Sequence, residues 1–235
     1  MCVARRRVNT TKYEIIRTGT RLFLEKGYSA TTPKRICEEL DISTGNLTYY
    51  FPTKEHLLSE LVAILCDFQW KMIEEEAKDG YSSIMAICLE LLTIASACEQ
   101  DEVAKDFFLS TYRSELCLDL IRKNDAARAK KVFKDYCSDW TDEQFQEAET
   151  LVSGIEYATL MTTTDTASLE LRIRGALDTI LTIYGVPEDI RKQKIEKTLS
   201  INYKALGLQV LENFRNYVEQ TNEQTFEMLL SGTKE

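Results

Sequence analysis

Apolar positions recur at helical spacing along almost the whole chain. Between Lys12 and Lys26, the residues Ile15, Ile16, Leu22 and Phe23 fall on one face, and Gly27 supplies a C-terminal stop. Thr31 or Thr32 is placed to cap a short helix that starts at Pro33 and runs to Leu40. Asp41-Ile42 makes a tight turn, Ser43 caps a second short helix, and Pro52 ends it after Tyr50-Phe51. Thr53 then opens a long helix whose apolar face is Leu57, Leu61, Ile64, Leu65, Phe68 and Met72. A break is expected at Asp79-Gly80, followed by an almost wholly apolar helix over 82–98 and two shorter helices over 102–124 and 126–138. Thr141 caps a helix reaching about Thr163. Leu169, Ile173, Ala176, Leu177, Ile180 and Tyr184 line the next, which Gly185 and Pro187 stop. From Glu188 onward Leu199, Tyr203, Leu206, Val210, Phe214 and Tyr217 keep a roughly heptad seam, with a break placed at Gly207. No strand pattern competes and no internal repeat is present, so the expected fold is all-α.

Composition supports that reading. Only 3 Pro and 9 Gly occur in 235 residues, too few turn residues for an all-β sandwich. The net charge of −9 is unevenly spread: residues 1–56 carry an excess of +4 and the remainder −13. A basic head on an acidic body suggests that the head meets a polyanion. Seven cysteines, at 2, 37, 66, 88, 98, 117 and 137, form no C-x-x-C pair, and most fall in apolar helical patterns. They read as reduced core residues, not as a disulfide framework. The single His56 has no partner at metal-ligand spacing, so no metal or other cofactor is expected. The polar, basic N-terminus is unlike a secretory signal, and Ile84–Cys98 is short for a membrane span, so a cytoplasmic protein that does not enter a membrane is expected.

The first 52 residues lay out three helices, the second and third short and joined by a tight turn, which is a helix-turn-helix. A helix that enters the major groove needs a slim, hydrogen-bonding outer face. Ser43, Thr44, Asn46, Thr48, Tyr49 and Tyr50 supply one, with Thr44 and Asn46 placed for base edges. Thr32, Lys34 and Arg35 at the start of the second helix, and Lys54 at the start of the fourth, are candidates for phosphates, as is the arm of Arg5, Arg6 and Arg7. Double-stranded DNA is the expected partner.

This segment resembles the tetracycline-repressor (TetR) family of bacterial regulators. The resemblance runs from Ile15 through Leu58. It rests on Ile15-Ile16, Leu22-Phe23, Gly27-Tyr28, Ala30-Thr31-Thr32, Ile36, Ile42-Ser43, Gly45-Asn46-Leu47, Tyr49-Tyr50-Phe51, Lys54-Glu55 and Leu57-Leu58. Gly19, Asp41 and Thr48 depart from the usual pattern. The resemblance implies a helix-turn-helix DNA-binding domain over 1–56 and a ligand-binding and dimerisation domain over 57–235. It also implies a homodimer, a small-molecule inducer of unknown identity, and repression of a palindromic operator relieved by that inducer. The alternative is a DNA-binding protein with the same head and no inducer, in an architectural or cell-division role. An enzyme is not expected: no nucleophile–base pair, phosphate loop or H-E-x-x-H occurs.

Two further expectations concern the body. The helix over Ile84–Cys98 is apolar on nearly every face and must be covered by neighbours. Its Glu90 and Thr93, with Trp70 and Tyr112, are the candidate ligand-binding residues, Glu90 favouring a cation if it faces inward. The competing reading makes Glu90, Thr93 and Ser83 a narrow solvent stripe. Ala148, Gly154 and Ala158 permit close helix approach, so 141–163 and 167–184 are the first choice for a four-helix dimer bundle, against the seam after Glu188.

Overall fold

The computed structural model describes residues 10–78 and 83–231. The Arg5–Arg7 arm and the expected Asp79-Gly80 break lie outside the described residues. Among those described, every regular element is an α-helix. They are α1 (Thr11–Lys26), α2 (Pro33–Leu40), α3 (Thr44–Tyr50), α4 (Lys54–Lys78), α5 (Ser83–Gln100), α6 (Glu102–Arg113), α7 (Glu115–Val132), α8 (Asp142–Leu160), α9 (Leu169–Ile183), α10 (Glu188–Leu199) and α11 (Tyr203–Ser231).

Local chemistry sets most of these ends. Thr32, not Thr31, caps α2 and accepts from the Arg35 N–H, while Thr31 is buried and donates to the Gly27 carbonyl at 2.8 Å. Asp41 closes α2 in the left-handed region at φ 52°, a conformation its short polar side chain tolerates. Ser43 caps α3, and Thr141 with Gln144 forms a reciprocal capping box on α8.

Two expected breaks move. The boundary placed near residue 125 falls at Ser114, whose hydroxyl accepts from the Cys117 N–H and restarts the chain as α7. Residues 115–132 are then one helix, because Ile121, Ala129 and Val132 share a buried face. The break placed at Gly207 falls at residues 200–202 instead. Gly207 lies inside α11, where it meets α5: a Cβ there would stand 2.9 Å from the Thr93 carbonyl oxygen and 3.2 Å from the Ala97 nitrogen. The glycine serves close helix approach, not termination. Gly207→Ala is expected to cost about 1–3 kcal/mol in urea unfolding, because backbone must give way; an unchanged midpoint would contradict the close packing.

α1 to α3 form a small head around Ile15, Leu22, Phe23, Ile36, Leu47 and Phe51, all buried. α4 joins this core and continues into the body without interruption across residue 56, with Leu57 lying against Gly19 of α1. In the body, α5 is central and packs on α11, α4, α6, α10, α9 and α8. α5 has the length and composition to cross a membrane, but two-thirds of it (67%) is buried inside this helical body.

Candidate DNA-reading face and internal cavity

On α3, Leu47 points into the head and is 4% exposed, whereas Tyr49 is 79% exposed. Thr44, Asn46 and Thr48 share the exposed side with Tyr49, and Ser43 is exposed at the helix start. The Ser43 hydroxyl accepts from the Asn46 N–H at 3.1 Å, and Thr48 donates back to the Thr44 carbonyl at 3.1 Å. The Asn46 side chain is exposed and placed outward from that cap. Tyr50 is half-buried against the core, edge-on to Tyr49 with ring centroids 4.9 Å apart. Thr32, Lys34 and Arg35 are exposed at the start of α2, Lys34 within 3.5 Å of Glu38.

Lys54 has a different setting. Its ammonium donates to the Tyr28 carbonyl at 2.9 Å and the Thr31 carbonyl at 3.1 Å, and lies 3.8 Å from the centre of the Tyr28 ring. Burial holds its pKa below the ordinary lysine value, against the pull of Glu55 and Asp106. Lys54 therefore ties α4 to the α1–α2 loop. Lys54→Met is expected to lower the thermal stability of the protein by about 1–3 kcal/mol, as for lost charge-assisted hydrogen bonds; an unaltered melting curve would leave those bonds without weight.

The same loop meets the body. Asp106 of α6 accepts from the Ser29 backbone N–H at 2.7 Å and from the Ser29 hydroxyl. Asn222 of α11 donates to Thr20 of α1 at 3.0 Å. Side chains of α4, α6 and α11 are thus bonded directly to the head.

Within the body a cavity of about 50 Å³ is lined by α4 to α9, and a smaller one of about 30 Å³ adjoins it toward α11. Glu90 borders both. It is no part of a solvent stripe. Its carboxylate pairs with Arg128 of α7 and accepts from Gln69 at 2.5 Å. Thr93 is buried, lines the smaller cavity and donates to the Glu90 carbonyl. Tyr112 lines the larger cavity and donates to Glu156 at 2.9 Å. Trp70 stands apart from both linings: its indole N–H donates to Asn124 at 2.8 Å, and Lys131 lies over its ring.

The structure adds four charged cavity residues that the sequence reading did not single out: Asp125 and Arg128 of α7, and Glu149 and Glu156 of α8. Arg128, its side chain 3% exposed, holds Asp125 at 2.9 Å as well as Glu90. Those two carboxylates outweigh its burial and raise its pKa further. Burial pushes Asp125 up, partly offset by Arg128. Burial, with the charges of Asp125 and Glu90, pushes Glu149 up to about 8 in spite of Arg128 and of the hydrogen bond from Tyr184. Glu156 is driven well above the carboxylate range by burial and by Asp125, Glu149 and Glu90. Spacing held the signal: Glu149, Val152, Glu156 and Leu160 make one helical stripe, with acids where a core face has aliphatics.

Residues 15–61 match the family described as bacterial regulatory proteins, tetR family. The helix-turn-helix head is thus similar to that of the tetR family. The probable HTH-type transcriptional regulator YttP of Bacillus subtilis strain 168 is 31% identical over 91 residues, covering 39% of this chain and 38% of that protein. The HTH-type transcriptional regulator QacR of Staphylococcus aureus strain Mu50 is 37% identical over 70 residues, 28% of this chain and 37% of that protein. The chain thus spans well under half the length of each. Among solved structures, Salmonella enterica GusR aligns with a TM-score of 0.47 at 19% identity, over 77% of this chain and 96% of that one. The family match ends at residue 61, and the larger cavity's lining begins at Leu65.

Proposed function

We propose that this regulator binds a two-fold symmetric DNA site as a homodimer and is released by a small molecule held in the α4–α9 cavity. The observation that carries the reading is the division of α3: Leu47 anchors it while Thr44, Asn46, Thr48 and Tyr49 stand outside, on a helix followed by α4, which runs on to the cavity wall. Thr44 and Asn46 read base edges. Thr32, Lys34, Arg35, Ser43, Tyr49 and Tyr50 serve backbone contact, and Lys54 shapes the loop beside them. A ligand that holds α4 and α6 apart tilts the heads and mismatches two recognition helices that must sit about 34 Å apart. It does so only by favouring the non-binding conformer.

The dimer face proposed is α8 with α9. Leu151 and Leu171 are 57% and 61% exposed, and Gly154 and Gly175 have open space where a Cβ would stand. Such a surface accepts a second pair of helices at close range. Sedimentation of the full chain is expected to give a species near twice 27.0 kDa. Binding to a selected duplex is expected to fall with salt at a slope of about −4 to −7 in log–log form, for roughly 4–8 phosphates. Asn46→Ala is expected to relax preference at one base position by about 1–3 kcal/mol. A monomer, or salt-independent binding, contradicts the reading.

A further inference from the structure

Resting on the reading of the cavity as a ligand site, we propose that it takes an organic cation, whose positive charge lies against the Glu149–Glu156 face of α8 and whose acceptor atom meets Arg128. Four carboxylates line this cavity, those of Glu90, Asp125, Glu149 and Glu156, with one guanidinium. The terminal nitrogens of Arg128 are taken by Glu90 and Asp125. Glu149 and Glu156 receive hydrogen bonds from the phenols Tyr184 and Tyr112, and no cation among the described residues is bonded to them. They stand two turns apart on one stripe, about 10 Å along the axis. An independent sign of a missing group is Arg128 itself: the residue is 2% exposed and lines the cavity, and its Nε–H is buried without an acceptor. An ether, hydroxyl or carbonyl oxygen on the ligand completes it. Most of the remaining wall is apolar, with Ile87, Leu91, Phe108 and Val152 suited to an alkyl or aromatic body, and Gln69 and Thr111 add polar groups. The space of about 50 Å³ is smaller than such a molecule, so binding must part the helices, which is the movement a switch requires.

Charge balance gives the proposal a second signature. Burial and mutual repulsion keep Glu149 protonated up to about pH 8, and Glu156 beyond the usual range. A permanent cation favours the ionised carboxylate, so it enters as a proton leaves: the carboxylic acid becomes a carboxylate paired with the cation, and the proton passes to solvent. The titratable and charged groups around the pair are Glu90 on α5, Tyr112 on α6, Asp125 and Arg128 on α7 and Tyr184 on α9. Nearby stand Arg122, bonded to Ser153, and the Cys66 thiol on α4, which burial pushes up to about 12. Asp125 is also pushed up by burial but is already paired with Arg128, so a cation against α8 promotes the ionisation of Glu149 and Glu156.

The test is calorimetric titration of the full-length protein with (2-phenoxyethyl)trimethylammonium, its neutral isostere 3,3-dimethylbutyl phenyl ether, and phenoxyacetate. Two buffers of different ionisation enthalpy count the protons released. The cation is expected to bind at least about tenfold tighter than either analogue, to release protons at pH 7, and to gain up to about tenfold in affinity per pH unit from pH 6 to 8. Glu149→Gln and Glu156→Gln keep side-chain size and are each expected to reduce both the proton count and the preference for charge. Failure of the cation to bind at millimolar concentration, equal binding of the ether or phenoxyacetate, binding without proton release, or glutamine variants that behave as wild type would each overturn the proposal. The two readings fail separately. Release of DNA by phenoxyacetate or the ether, and not by the cation, leaves the regulator reading intact and removes this one. Proton-linked cation binding by a protein that holds no duplex does the reverse.

Discussion

Replacing Arg128 by methionine is expected to lower folding stability by about 3–5 kcal/mol at pH 7, the range for breaking a buried ion pair by removing one partner. Arg128 is the guanidinium that Glu90 and Asp125 share deep in the body. Without it both lose their opposing charge, and Asp125, which burial already pushes up, must either ionise in an apolar setting or take up a proton. The second outcome makes the loss depend on pH. An acid whose folded pKa is raised contributes stability that is present below its unfolded value, near about 4, and lost as pH rises through the folded value. The deficit of Arg128→Met is therefore expected to shrink on acidification from pH 7 to pH 5.5. Urea unfolding at the two pH values checks this. A variant as stable as wild type at pH 7, or one whose deficit widens in acid, contradicts the pairing described here.

Glu149 predicts a second large effect, in the unaltered protein. Its folded pKa of about 8 stands above the ordinary value of 4.5. By the same sign, its contribution is complete below pH 4.5, declines as pH rises, and levels off above about pH 8. The slope is on the order of 1 kcal/mol per pH unit at most, since each unit of pKa corresponds to about 1.4 kcal/mol and nearby acids share the protons. Many proteins gain stability over part of this range as paired surface carboxylates ionise, so the expected decline is distinctive. Glu149→Gln is expected to flatten it, because the amide keeps a hydrogen-bonding partner for Tyr184 and carries no charge at any pH. Urea midpoints from pH 5 to pH 8 for both proteins decide it; parallel curves would remove Glu149 as the source.

The head was legible in the sequence because its signals are local. A capping threonine before proline, an aspartate able to adopt positive φ, a serine cap and a halting proline all act within a few residues of where they stand. The same locality explains why the sequence marks Lys54 only as a candidate for phosphate and not as a tie to the loop. Its position at a helix start was visible, but the carbonyls that occupy it come from Tyr28 and Thr31, more than twenty residues earlier. Gly207 misled for a related reason, since a glycine that stops a helix and one that lets another helix approach look alike in one dimension. In the body, Glu90 was found because it interrupts an apolar helix. Glu149 and Glu156 share a stripe with Val152 and Leu160, but α8 carries acids on its other sides too, so the stripe stands out as the inward one only once α7 and α9 are packed against it. Arg128 sits in a charged run ending α7, where a solvated lysine and a buried arginine look alike in the sequence.

The claim that α3 presents a DNA-reading face to a two-fold site is tested most directly by selecting bound sequences from a pool of random duplex DNA with the full-length protein. The account predicts enrichment of an inverted repeat whose half-site centres lie about 10–10.5 base pairs, or a multiple, apart, with one base position losing its preference in Asn46→Ala. A pool that stays random at low salt, or enrichment of single sites without two-fold symmetry, would contradict it.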